Sequence, residues 1–150
     1  MRRVLSLIIF LVITVGGGLA IGLATLPGEW YAQLEKPFFN PPSWIFSPVW
    51  TVLYVLIAFA GWRTFEQARS SAGMKLWFAQ LVLNFLWSPS FFGAQRMDLA
   101  LFVIILLLIT ILFFIRERWG KDRIVAYCFM PYAAWVAFAT LLNASLLILN

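Results

Sequence analysis

Five uncharged stretches divide the chain, and each is long enough, or nearly so, to cross a lipid bilayer. They cover residues 4–28, 37–62, 76–95, 99–115 and 124–150. A helix needs roughly 20 apolar residues to span the hydrocarbon core, and the shortest stretch is apolar throughout. Polar and apolar residues do not alternate as they do in barrel strands. Since a helix satisfies its own backbone, the pattern predicts an all-α integral membrane protein, a five-transmembrane-helix bundle.

The predicted bundle is a single domain covering residues 1–150. Its spans are residues 4–26, 43–64, 75–94, 97–117 and 123–148, to within a few residues. The first two spans are joined by a loop, residues 27–42, which contains most of the sequence "WYAQLEKPFFNPPSW", residues 30–44. A plain connector needs no such concentration of proline and aromatic rings. The loop is therefore predicted to be a lid over a hydrophobic cavity.

The distribution of Lys and Arg predicts the orientation. Nine of these residues flank the spans on the side of the N-terminus, and only Lys36 and Arg96 lie on the opposite side. The positive-inside rule then places the N-terminus inside and the C-terminus and the loop outside. The first stretch also resembles a signal peptide, but its uncharged run exceeds the usual apolar region of about 7–15 residues. The sequence leaves open which membrane holds the protein, a bacterial cell membrane being favoured.

Composition supports lipid as the solvent and removes several chemistries. The chain is 63% hydrophobic and 11% charged, too few polar groups to cover a water-soluble domain. Its net charge of +5 is scattered at the ends of apolar runs, so no nucleic-acid partner is expected. There is no histidine, which removes the usual haem axial ligand, the common zinc ligand and the most frequent general base. No catalytic residue set, metal site or obligatory cofactor is expected.

Polar and indole side chains recur at helical spacing in three of the predicted spans. One interpretation is hydrogen bonding between helices, worth about 1 kcal/mol or less for each Asn or Gln. The other is a shared pocket beneath the loop, in which rings stack on a flat ligand and amides orient it. The joint pattern favours the pocket. The three stripes are Phe46, Trp50 and Tyr54; Gln80, Asn84, Trp87 and Ser88; and Pro131, Trp135, Ala139 and Asn143.

Other residues carry expectations about helix ends and packing. Pro89 should kink or end its helix. Asp98, beside Arg96, is expected at a solvated helix start, where it is a candidate cap. The pairs Gly18 and Gly22, and Ala133 and Ala137, allow close helix contact in the bundle interior or at a dimer seam. Five tryptophans near predicted helix ends are expected at the membrane interfaces: Trp30, Trp44, Trp62, Trp77 and Trp119.

Three motifs in order resemble the TspO/translocator protein family, also called tryptophan-rich sensory proteins or peripheral benzodiazepine receptors. The first is "WYAQLEKPFFNPPSW" with Trp50 eight residues after Pro42. The second is "NFLWSPSFFG" from Asn84, and the third is "PYAAWVAFATLLN" from Pro131. The resemblance covers nearly the whole chain. It implies a five-helix membrane bundle, often a homodimer, with a pocket covered by the loop between the first two helices.

The resemblance also implies ligands and site residues. The family binds porphyrins, such as protoporphyrin IX and haem, and synthetic benzodiazepine and isoquinoline carboxamide drugs. The function it implies here is a membrane receptor or sensor for tetrapyrroles and related hydrophobic molecules. Matched by motif position, the ligand-binding residues would be Trp30, Tyr31, Pro41, Trp50, Tyr54, Asn84, Trp87, Trp135, Ala139 and Asn143.

The resemblance leaves other functions open. A light- and oxygen-dependent porphyrin-degrading enzyme would use the indoles of Trp30 and Trp135, without an acid or base. A transporter of porphyrins or sterols is a third class. Cholesterol binding is the least supported property, because the chain ends "LLNASLLILN" without the Tyr and basic residue of the proposed sterol pattern. A reversed pattern occurs at Lys75, Phe78 and Leu81.

Overall fold

The computed structural model describes all 150 residues as helices and connections, without strands, and 83% of the residues are helical. Four helices are long and apolar enough to cross a membrane: α1, α3, α5 and α6. The all-α prediction is confirmed, and the count of five spans stays a prediction. The helices are α1 (Arg2–Ala24), α2 (Gly28–Ala32), α3 (Ser43–Gln67), α4 (Ala72–Ser88), α5 (Met97–Trp119) and α6 (Arg123–Leu149).

The helix α4 falls short of the others because Pro89 interrupts its hydrogen-bond ladder. It has 17 residues in α-helical form. Proline has no backbone N–H, so the chain continues as a wider π-helical turn, Pro89–Gly93. The N–H of Ala94 closes this turn on the carbonyl of Pro89 at 2.8 Å. Gln95, with a φ of 55°, then reverses the chain into α5.

The outer surface of the bundle is apolar. Only 32 of 150 residues are buried, and large side chains such as Leu19, Phe102 and Ile109 point outward and are exposed. Water would not tolerate so much contiguous apolar surface, whereas lipid favours it. The chain is therefore an integral membrane protein. Its interior holds one main apolar cluster to which α1, α3, α4, α5 and α6 all contribute.

Trp77 was predicted to lie at a membrane interface, and this prediction is wrong. The side chain is fully buried in the main apolar cluster. Its indole N–H donates to the carbonyl oxygen of Ile57 at 2.9 Å. Gly61 makes room for the ring, because a Cβ at that position would collide with it. Since α4 already begins at Ala72, Trp77 lies beyond its first turn and inside the bundle.

Asp98 lies at an exposed helix start, as the sequence favoured, and it does not cap α5. The capping position is Arg96, and no side chain caps the helix. Asp98 lies in the first turn and accepts two hydrogen bonds of 2.9 Å from the guanidinium of Arg96. Both side chains are exposed.

The small-residue pair in α1 is divided between two environments. Gly18 is buried against the ring of Tyr54, which a Cβ would strike. Gly22 has open space around its Cα. The interior interpretation therefore holds for Gly18, and Gly22 lies on the outer side of α1.

A charged cluster ties the helices together at the end of the bundle that holds the N-terminus. We define it as Arg63, Gln67, Arg118 and Asp122. Asp122 accepts from the Nε of Arg63 at 2.5 Å and from the amide of Gln67 at 2.8 Å. Arg118, which is 2% exposed, donates to the other side of the Gln67 amide at 3.0 Å. Although burial opposes its ionisation, these hydrogen bonds leave the pKa of Asp122 lowered.

Candidate functional site

Side chains from three helices form a continuous chain of hydrogen bonds in the bundle interior. We define this central polar chain as Tyr54 of α3, Asn84 and Gln80 of α4, and Tyr132 of α6. The hydroxyl of Tyr54 donates to the Asn84 oxygen at 3.0 Å, and the Asn84 amide donates to the Tyr132 hydroxyl at 2.7 Å. That hydroxyl donates to the Gln80 oxygen at 2.8 Å. The stripes predicted on α3 and α4 therefore meet.

The central polar chain ends in a donor without an acceptor. The amide nitrogen of Gln80 is buried and has no hydrogen-bond partner in the protein. Buried polar groups are nearly always paired, because an unpaired donor costs about 1–3 kcal/mol. The Gln80 end of the central polar chain can therefore donate to an acceptor that the protein does not supply.

Tyr132 is the residue of this chain that sequence reasoning did not select. It is fully buried, and it is the only one of the four that bonds to two others through a single hydroxyl. It lies three residues before Trp135 and seven before Ala139, so the helical period places all three on one face. Because a buried tyrosine hydroxyl needs a partner, the spacing together with the rule could have found it.

Trp50 lies beside the central polar chain. Its ring centroid is 5.4 Å from that of Tyr54 and 6.4 Å from that of Tyr132. At these distances the rings are in direct contact, tilted against Tyr54 and edge-on against Tyr132. Trp50, Tyr54 and Asn84 are thus neighbours, as the sequence predicted.

A second amide, Asn143, pairs with protein groups. Its oxygen accepts from the indole N–H of Trp87 at 3.0 Å, and its nitrogen donates to the carbonyl of Met97 at 3.0 Å. Asn143 is 1% exposed, so both bonds are sheltered from solvent. The pair links α4, α5 and α6. At this position the arrangement is the helix-to-helix bonding that was weighed against a pocket.

The loop between α1 and α3 packs on the end of α4 through α2. The ring of Trp30 lies 5.7 Å from that of Phe91, and the ring of Tyr31 lies 5.5 Å from that of Phe92. Burial raises the pKa of Tyr31. Pro41 is half-buried in the extended part of the loop. Trp30 and Tyr31 therefore sit in a smaller aromatic cluster at the π-helical turn of α4, and not beside Trp50.

Two further contacts fix the loop. The ammonium of Lys36 donates to the carbonyl of Tyr31 at 2.9 Å and lies 4.7 Å from the centre of its ring. The side-chain amide of Asn150 brackets Glu35, accepting from its N–H at 3.0 Å and donating to its carbonyl at 3.0 Å. The second contact joins the loop to the end of α6. We call the pair of hydrogen bonds between Asn150 and Glu35 the latch.

A groove of about 420 Å³ opens next to the latch, between the loop and the end of α6. It offers a side opening between the loop and the bundle, because its walls come from one and from the other. The residues lining it are Lys36, Pro37, Phe38, Ser145, Ile148 and Leu149.

The remaining predicted residues of α6 lie along the wall nearest the start of α3. Trp135 packs edge-on against Phe46 at 5.7 Å and contacts Phe138 at 5.7 Å. Its indole N–H is buried without a hydrogen-bond partner. Ala139 is half-buried against the main apolar cluster. The predicted site residues thus form three neighbourhoods, around Tyr54 and Asn84, around Phe91, and around Trp135.

Similarity to known proteins covers the same residues that build these neighbourhoods. The TspO/MBR family model matches residues 8–149. A tryptophan-rich sensory protein of Cereibacter sphaeroides is 36% identical over 135 residues, 90% of this chain and 85% of that protein. A tryptophan-rich protein TspO of Archaeoglobus fulgidus is 40% identical over 123 residues, 81% and 80% of the two chains. The human translocator protein is 34% identical over 135 residues, 84% and 79% of the two chains.

The family match and the structure agree on the class of molecule. Matches of this extent span the loop, the π-helical turn of α4 and the polar face of α6 together. The helices are those of an integral membrane protein. The chain belongs to the TspO/MBR family.

Proposed function

We propose that the protein is a membrane receptor or sensor that binds tetrapyrroles, such as protoporphyrin IX and haem, and related hydrophobic molecules. The ligand would lie among α3, α4 and α6 beneath the loop. The observation that carries this proposal is the convergence of Tyr54 and Asn84 with the ring of Trp50 in a buried polar chain of the membrane interior. Polar groups are rare inside membrane proteins and usually mark a functional site.

Two buried donors support a ligand that carries acceptors. The indole N–H of Trp135 and the amide of Gln80 have no partner in the protein. A tetrapyrrole offers a flat ring system for stacking and carboxylates or ring nitrogens as acceptors. Binding would satisfy donors that are otherwise costly to bury. The Asn84 amide has a second N–H beyond the one it gives to Tyr132, so it can donate to ligand without breaking the chain.

The membrane arrangement that accompanies this proposal has five crossings. Together α4 and its π-helical turn cover residues 72–93, long enough to complete a fifth span. With the N-terminus inside, the charged cluster lies on the inner side and the loop on the outer side. The ligand would then enter from the outer half of the membrane, past the latch and the groove beside it.

The test is a titration of protoporphyrin IX into detergent-purified protein in the dark, followed by tryptophan quenching. Wild type should saturate, and Trp50→Ala and Asn84→Ala should bind about tenfold more weakly, since each loses a ring contact or a buried hydrogen bond. The matched control is Trp119→Ala, because Trp119 is exposed at the end of α5, where it stacks edge-on with Tyr127.

Two outcomes decide the proposal. Weaker binding in the two site variants and unchanged binding in Trp119→Ala would support it. Absent binding, or equal affinity in all four proteins, would contradict it. The same samples, illuminated in air, would show whether the porphyrin is degraded, which separates an enzyme from a sensor.

A further inference from the structure

A second groove lies at the opposite end of the bundle, where α1 begins and α3 ends. Its volume is about 340 Å³, and no residue of the loop or of the latch lines it. Trp62 helps to build it, because its indole N–H donates to the carbonyl of Arg3 at 3.0 Å and ties α1 to α3. The groove is lined by Arg2, Leu5, Ser6, Ile9, Phe65, Glu66 and Arg69.

The groove carries an excess of positive charge. Its one carboxylate, Glu66, is already engaged, since it accepts from the hydroxyl of Ser6 at 2.7 Å and lies 3.8 Å from the Nε of Arg3. Arg2 and Arg69 form no ion pair with any carboxylate of the chain. Two cations at the mouth of the groove are therefore free to meet an anion.

Arg69 is held in a geometry suited to a phosphate. Its guanidinium carbon lies 4.4 Å from the centre of the Phe65 ring. Stacking on a ring occupies the face of the guanidinium and leaves its edge N–H groups free, and these can bind two phosphate oxygens at once. The ring itself is supported from below, since Phe65 contacts Phe10 at 5.5 Å.

The floor of the groove is apolar and leads onto the outer face of α1. Leu5 and Ile9 line the groove and are half exposed. Exposed Val12 and Ile13 continue the same helix towards the membrane centre. A molecule that fits this surface has an anionic head at the arginines and a hydrocarbon tail along α1. A free phosphate would use the first part only.

We infer that this groove binds an anionic phospholipid, with its phosphate at Arg2 and Arg69 and an acyl chain along Leu5 and Ile9. Basic residues at a membrane surface attract anionic lipids, each by a modest amount that adds up over a cluster. The lipid would also hold the inner end of α1 against α3. The inference does not depend on what binds beneath the loop.

The experiment compares dioleoyl-phosphatidylglycerol with dioleoyl-phosphatidylcholine, two lipids with the same acyl chains and different charge. Each is titrated into the full chain in an uncharged detergent, and bound lipid is counted by native mass spectrometry. The double variant Arg2→Gln with Arg69→Gln is the test. Arg116→Gln with Lys75→Gln is the matched control, since it removes two exposed charges from the same end but outside the groove.

We expect wild type to prefer phosphatidylglycerol and the double variant to bind it on the order of tenfold more weakly. The control variant should keep the preference, as should Arg69→Lys to a lesser degree. Equal loss in the control, an unchanged preference in the double variant, or no preference in wild type would overturn the inference. The inference would also fail if inorganic phosphate at millimolar concentration displaced bound phosphatidylglycerol as effectively as added lipid does, because the hydrocarbon tail would then contribute nothing.

Discussion

The two ends of the bundle are held together by different interactions. At the end that holds the N-terminus, the charged cluster joins α3, α5 and the start of α6 through ion pairs and amide bonds that are largely buried. At the loop end, Trp30 packs on the buried ring of Phe91, whereas the latch holds the rest of the loop to α6 by exposed hydrogen bonds. Buried charged contacts are costly to break singly, whereas exposed ones open readily. We therefore expect the end with the charged cluster to act as a fixed base and the latch to be the contact that opens first.

The central polar chain lies between the two ends and belongs to neither. Tyr54, Asn84 and Tyr132 satisfy one another inside the membrane, and the amide of Gln80 is left over. A set of groups that is complete except for one donor can hold the helices together and still respond to a ligand. Under the proposed function, the three regions would serve stability at the base, recognition in the middle and access at the loop.

The largest loss of stability is expected for Asp122→Ala. The change leaves the guanidinium of Arg63 and the amide of Gln67 without their acceptor. We expect a loss of about 2 kcal/mol, because a partly buried charge loses its partner. Thermal unfolding in detergent would show this as a fall of about 5 °C. Asp98→Ala, which removes an exposed acid at the loop end, should leave the melting temperature unchanged.

Acid should weaken the same end of the molecule. The folded protein lowers the pKa of Asp122, so the fold favours the ionised carboxyl. This stability is fully present above the usual carboxyl pKa of about 3.9 and is lost as the pH falls through the lower, folded value. When the melting temperature is plotted against pH, it should therefore fall less steeply between pH 6 and pH 3 for Asp122→Asn than for wild type. Parallel slopes would show that Asp122 is not the group responsible.

A smaller effect is expected at Ala139. The residue is half-buried against the main apolar cluster, so a threonine adds a methyl group and a hydroxyl to a packed surface. We expect Ala139→Thr to lower the free energy of unfolding by about 1 kcal/mol, or to weaken protoporphyrin IX binding by the roughly fivefold factor that this energy represents. Ala134→Thr on the exposed side of α6 is the control. If both variants behave as wild type, this face of α6 does not border the site.

Tyr132→Phe should weaken recognition as well as stability. It removes the hydroxyl that accepts from Asn84 and donates to Gln80, so the Asn84 amide loses a fixed orientation. We expect protoporphyrin IX affinity to fall about threefold, since one buried hydrogen-bond partner is lost. Tyr127→Phe, on the exposed side of the same helix, should bind normally. If Tyr132→Phe bound protoporphyrin IX as tightly as wild type, the central polar chain would not be what orients the ligand.

The smallest effect is expected for the latch. Asn150→Ala removes both hydrogen bonds to Glu35 near the surface. We expect bound protoporphyrin IX to dissociate about twofold faster, with an unchanged melting temperature, because such exposed bonds contribute little to stability. Stopped-flow displacement measures the rate. Ser145→Ala is the control, since its hydroxyl lines the same groove but bonds within α6 to Leu141. If Ser145→Ala releases the porphyrin as fast as Asn150→Ala does, the groove and not the latch is responsible.

Hydrophobic patterning predicted the all-α membrane class, because lipid imposes helices on long apolar segments. The helical period also placed Tyr54 and Asn84 on faces that meet. Periodicity gives a face but no depth, which is why Trp77 was assigned to an interface although it is buried. Likewise, the interruption at Pro89 was predictable from its missing N–H, whereas the π-helical form of the turn was not.

The loop shows a different limit of sequence reasoning. Its prolines and rings predicted a lid, and the contacts of Trp30 and Tyr31 with α4 agree with a packed loop. The short helix α2 within the loop could not be predicted from apolar periodicity, since its five residues make less than two turns. The latch joins Glu35 to Asn150, which are 115 residues apart in the sequence, and no local pattern encodes such a contact.

The most direct test of this division measures melting temperature and protoporphyrin IX affinity in the dark on the same two variants, Asp122→Ala and Trp50→Ala. Trp50 makes ring contacts beside the polar chain, and Asp122 lies in the charged cluster at the far end. The account predicts that Asp122→Ala lowers the melting temperature and keeps the affinity of the folded protein, while Trp50→Ala weakens binding even at temperatures where it is fully folded. Loss of affinity in Asp122→Ala, or unchanged affinity in Trp50→Ala, would contradict it.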